Sequence, residues 1–196
     1  MDVTLAKAIE EDLFNELRWL LCAATEWDAH NRLIGEPPQK PIVAEPCCHL
    51  KVYAMDSAFA HARSLYEFFT TPEKTVLRNE ERRFNRLTWR DYSVNAVQES
   101  GPYDGLRGPL HGRVMHVCKD RSGYEQIKKE VVTLAADILG LWERFSQLPD
   151  LREYASLLDK CRIQAIEEAE SVANQYKAHG YRCPFSEPTP GNVGPR

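Results

Sequence analysis

SGYEQIKKEVVTLAADILGLWERFSQL, residues 122–148, is the stretch that decides the fold class. Apolar side chains fall at Ile127, Val131, Leu134, Ile138, Leu141, Phe145 and Leu148, in steps that alternate four and three. At 3.6 residues per turn, that alternation keeps one stripe on one face, as a bundle-facing helix requires. Ser122 and Glu125 stand three apart at the start, the spacing of a capping box. Pro149 follows and breaks the helix.

The same period recurs on both sides. Upstream, Leu5, Ile9, Leu13, Leu17, Leu20, Ala24 and Trp27 predict a helix over about 4–30, widened by Phe14 and Leu21, with Thr4 as N-cap. Four prolines at 37, 38, 41 and 46 make 32–46 a loop. A second helix is expected from 48–51 to Phe69, with Ala54, Ala58, Ala62, Leu65 and Phe69 on one face. The alanines there permit a close neighbour. Thr71-Pro72 separates it from a peripheral helix that begins near Glu73 and weakens after Thr88. Downstream, Leu151, Tyr154, Leu158, Cys161, Ala165, Val172 and Tyr176 predict a last long helix, closed by Gly180. Residues 181–196, with four prolines, are expected to be extended, disordered or on the surface.

These elements make an all-α chain, an up-and-down helical bundle of four long helices plus one or two short ones, with a Pro-rich loop and tail. The domain spans 1–180 and the Pro/Gly-rich tail 181–196. With 196 residues, 43% hydrophobic and 28% charged, the chain carries enough apolar material for one sizeable core. Its net charge of −4 argues against holding duplex nucleic acid mainly by bulk charge, while leaving room for a local basic site. No apolar run is long enough for a membrane span, and the acidic start does not read as a signal peptide. Cysteines at 22, 47, 48, 118, 161 and 183 lack a Cys-x-x-Cys pair. They suit buried or inert thiols in a reducing cytosol.

Chemically versatile side chains concentrate in one place. LRGPLHGRVMHVCKDR, residues 106–121, holds two histidines among its arginines. On a helix over about 109–119, Leu110, Val114 and Val117 form the buried stripe. Arg113, His116 and Asp120 share a flank, and His111, Met115 and Cys118 lie roughly opposite it. A carboxylate one turn after His116 can orient its imidazole, and an arginine one turn before can hold a phosphate. General acid–base work on a phosphodiester is one reading of this trio. A solvated or interface histidine is the other. Metal binding is not expected, because His111 and His116 are five apart and Arg113 between them repels a cation. The arginines at 78, 82, 83, 86 and 90 sit among Glu80, Glu81 and Asp91, which suits a solvated face with intrahelical pairs, or further phosphate contacts.

Residues Leu106, Arg107, Leu110, His116, Asp120 and Arg121 resemble, without a gap, a motif of bacterial helical proteins reading roughly Leu-Arg-x-Arg-Ile-Asn-Lys-x-x-Ala-His and then Asp-Arg or Glu-Arg. That pattern resembles the arginine-to-histidine signature of the HEPN superfamily (higher eukaryotes and prokaryotes nucleotide-binding domain). Leu65-Tyr66-Glu67-Phe68-Phe69 adds a weaker likeness. The resemblance implies a helical bundle and a metal-independent endoribonuclease, or an RNA- or nucleotide-binding protein, of a defence or toxin–antitoxin type system. It implies no cofactor, a homodimer with two motifs facing one RNA, and an antitoxin or other protein partner. His116, Arg113 and Arg107 become the catalytic candidates, and Arg107, Arg113, Arg121 and His111 the phosphate or RNA ligands. Where the superfamily arginine stands, this chain has Pro109, Leu110 and His111. The alternative is therefore a catalytically inactive interaction or dimerisation module.

Overall fold

The computed structural model describes residues 5–34, 46–70 and 131–186. Among them the chain is helical, with no strand.

Helix α1 is continuous through Leu5–Lys7, a π-helical turn at Ala8–Leu13, and Phe14–Ile34. The π turn has a sequence cause. Leu5, Ile9, Leu13 and Leu17 are spaced by four, and in a regular α-helix each such step drifts by ~40°. The wider turn, in which the Phe14 amide donates to the Ile9 carbonyl, cancels that drift. All four side chains are buried, as are Leu20, Ala24 and Trp27.

Helix α2 spans Pro46–Thr70. It starts before the expected 48–51 because a proline in the first turn gives up only an amide that has no intrahelical acceptor. Ala54, Ala58, Ala62, Leu65 and Phe69 form its buried face. His61 of α2 meets Glu16 and Trp19 of α1. Only eleven residues join Ile34 to Pro46, so a contact in that register is reachable only if the two helices run antiparallel.

Helix α3, Val131–Ser146, buries Val131, Leu134, Ala135, Ile138, Leu141, Trp142 and Phe145. The expected stripe is present from Val131 to Phe145, while Leu148 falls beyond the helix and is half-buried, and Ser122 and Ile127 lie outside the described residues. Phe68 and Phe69 pack on Phe145 with ring centroids 5.5 and 5.3 Å away, and Phe69 lies 6.4 Å from Trp142. The C-terminal ends of α2 and α3 therefore meet.

Leu148 is extended because Pro149 follows it. A 3-10 turn, Pro149–Tyr154, buries Leu151 and leads into α4, Ala155–Asn174. The Trp142 indole donates 3.1 Å to the Leu158 carbonyl and pins α4 to α3 from inside. Arg18 pairs with Glu168 while Glu26 and His30 meet Tyr176, so α1 and α4 run parallel. The buried face of α4 is Leu158, Cys161, Ala165, Ala169 and Ala173. Val172 and Tyr176, expected on that stripe, are only half-buried. The small side chains of Ala169 and Ala173 let α1 approach instead.

A short 3-10 turn, Lys177–His179, ends at Gly180, whose φ of 77° is left-handed. Residues 181–186 then fold back. Tyr181 and Phe185 are 6% and 8% exposed, which makes this first part of the sequence's tail a contributor to the interior. No described helix is long and apolar enough to cross a membrane.

Candidate functional site

Arg107, His111, Arg113, His116, Asp120 and Arg121 all lie outside the described residues, as do the arginines from 78 to 90. The described residues bring together a different set, at the interface of α1, α4 and residues 181–186.

Helix α1 presents Glu26 and His30 one turn apart, with His30 Nε2 3.0 Å from Glu26 Oε1. Helix α4 ends so that the Tyr176 hydroxyl donates to the same Glu26 oxygen and lies 3.1 Å from His30 Nε2. The His30 and Tyr176 rings meet edge to face at 5.6 Å. With the His30 proton on Nε2, both donors find Glu26. Nδ1 is then a buried acceptor with no partner. Glu26, 28% exposed, thus meets both His30 and Tyr176 through one carboxylate oxygen.

A second set adjoins the first. Asp28, 6% exposed, lies 2.9 Å from the Tyr181 hydroxyl, and Arg32 reaches it from the solvent side at 2.9 Å. The Tyr181 hydroxyl is also 3.1 Å from the Thr25 carbonyl. Tyr176 and Tyr181 stack edge to face at 6.1 Å. Burial is the main reason both phenols hold their protons far above the usual tyrosine range, and the Glu26 and Asp28 carboxylates add to it. Thr25 Oγ1 lies 3.9 Å from Cys183 Sγ on the same side.

A third group flanks α1 nearer its start. Trp19 is 44% exposed and tilts against His61 at 5.1 Å. His61 Nδ1 is 2.9 Å from Glu16 Oε2. The Arg18 guanidinium stands 5.5 Å from both the Phe14 and Trp19 rings and 3.6 Å from Glu168. Arg18 and His61 each have a carboxylate beside them.

Chemically, the Glu26–His30–Tyr176 and Asp28–Tyr181 sets are proton-holding clamps. Apart from His30 Nδ1, their polar atoms meet one another, Arg32 and the Thr25 carbonyl, between α1 and the residues that follow α4. Among the described residues, no group of three or more His, Cys, Asp or Glu side chains is arranged to hold a metal ion. In the sequence only the four-residue spacing of Glu26 and His30 hinted at these sets. Their partners Tyr176 and Tyr181 come from the far end of the chain, and no local pattern links them.

No model of a known protein family matches the chain, and neither does any characterised protein or solved structure.

Proposed function

We propose that this chain is a HEPN-type helical protein that binds RNA or a nucleotide through residues 106–121 and cleaves RNA without a metal. His116 is the acid–base group, Arg107 and Arg113 hold phosphate, and Arg121 and His111 add contacts. The observation that carries the proposal is the spacing of Arg113, His116 and Asp120 at three and four residues, which on a helix would put cation, imidazole and carboxylate on one flank. The helical character of every described element supports it. The finer architecture belongs to the same proposal: an up-and-down bundle, paired as a homodimer, in a cytoplasmic defence or toxin–antitoxin setting. Since α2 and α3 meet at their C-terminal ends, an up-and-down order requires a helix running back between them. His116→Ala tests the activity. RNA cleavage should disappear while helicity by circular dichroism stays the same; equal cleavage by the mutant rejects the enzyme.

A second reading, a non-catalytic module that self-associates or docks an antitoxin-like protein, is favoured by large apolar side chains left in solvent. Trp19, Val52 and Tyr53 are 44%, 48% and 66% exposed. Sedimentation over a concentration series tests self-association, and a strict monomer at the highest concentration excludes it.

A further inference from the structure

We propose that Cys22 and Cys183 are a redox-responsive thiol pair, which a low-molecular-weight disulfide such as oxidised glutathione converts to an intramolecular disulfide joining residues 181–186 to α1. The course of the chain brings the two together. Tyr181 bonds at Asp28 and Thr25, Cys183 touches Thr25 at 3.9 Å, and Ser186 reaches Glu170 on α4. Residues 181–186 thus run down α1 towards its start. The next α1 turn below Thr25 carries Cys22, and side chains three apart on a helix are neighbours at about 5–6 Å. Burial and the Glu168 carboxylate raise the Cys22 pKa, and Cys183 adds to them, in keeping with that placement. Residues Cys22 and Cys183 are both half-buried, whereas Cys161 is buried.

Burial, and after it the Glu168 carboxylate, push the Cys22 thiol up to about 11, against the opposing pull of Arg18. The first attack therefore falls to Cys183. Its thiolate displaces one thiolate from the small disulfide and leaves a mixed disulfide at residue 183. Cys22 then gives up its proton and attacks the Cys183 sulfur, expelling the second thiolate. Two protein thiols and one disulfide become one protein disulfide and two small thiols. The high pKa of Cys22 is offset by proximity, since the second step is intramolecular.

The test uses the full chain, incubated with oxidised glutathione, alkylated and mapped without reduction. The expected result is one linked peptide pair containing Cys22 and Cys183, and loss of two hydrogen masses from the protein. Dithiothreitol reverses both, and the oxidised form melts at a higher temperature. Cys22→Ser should halt the reaction at a mixed disulfide on Cys183, and Cys161→Ser should leave the linkage intact, each with unchanged helicity. A mixed disulfide that persists on Cys183 in the unsubstituted chain overturns the pairing. So does a linkage to any other cysteine, or two thiols that stay unmodified.

Discussion

The Tyr181 hydroxyl lies 2.9 Å from Oδ2 of Asp28 in the interior between α1 and residues 181–186. Asp28 is an almost fully buried carboxylate, and Arg32 approaches it with a largely exposed side chain. Tyr181→Phe removes a donor to this charge and keeps the ring in place. A hydrogen bond to a charged group contributes about 1.5–3 kcal/mol. Urea unfolding should show a loss of that size; a loss near zero would mean that water or Arg32 replaces the phenol.

Tyr181 and its neighbour Tyr176 set a response to alkali. Folding raises the pKa of Tyr176 and Tyr181, mainly by burial. Above about pH 10 an unfolded tyrosine loses its proton while these two keep theirs. The unfolded state therefore gains, and stability falls as the pH rises beyond that point. Denaturation midpoints measured from pH 8 to 11 should drop at the alkaline end. The Tyr176→Phe, Tyr181→Phe double variant should flatten that part of the curve.

Phe145 sits where α2 and α3 meet, fully buried against Phe68 and Phe69. Phe145→Ala leaves a void between stacked rings that cannot all move in. Truncations of this kind cost about 3–5 kcal/mol. Calorimetry should show a much lower melting temperature, and a small change would mean that the cluster collapses to fill the space.

Gly180 has a left-handed backbone, and a Cβ there would meet no neighbour within 4 Å. The cost of Gly180→Ala is thus conformational, about 1–2 kcal/mol. Gly180→Asn should cost less than alanine, since asparagine tolerates this region better. Equal losses for the two would point to a contact rather than to φ.

If residues 106–121 hold phosphate, Arg107→Ala and Arg113→Ala should each weaken RNA binding uniformly across sequences. Each should also reduce the slope of log affinity against log salt by about 1. An unchanged slope in both variants would remove these arginines from the RNA.

Much of the fold was legible because burial along a helix is periodic. The stripes of α1, α2 and α3 were read correctly from Leu5 to Trp27, from Ala54 to Phe69 and from Val131 to Phe145. In α4 the expected positions Leu158, Cys161 and Ala165 are buried, after which Ala169 and Ala173 take over; Leu151 and Tyr154 fall in the preceding 3-10 turn, where Leu151 is buried and Tyr154 half-buried. Here the larger apolar residues Val172 and Tyr176 continue the period on a neighbouring flank, so the pattern passes over Ala169 and Ala173. The π turn left a trace in the run of four-residue spacings, but a run of that kind also fits a regular helix. The candidate site at 106–121 was legible only as residue types and spacings.

By itself, the sequence determined that the described residues are helical and which faces of α1, α2 and α3 turn inward, because those depend on side chains within a few turns of one another. Tertiary structure alone decided that α1 and α4 run parallel and that Tyr176 closes on Glu26 and His30. It likewise turned Tyr181 and Phe185, from a segment rich in proline, into the interior. Those outcomes join residues about 150 positions apart. Their free energy comes from burying surfaces that exist only after the helices have packed.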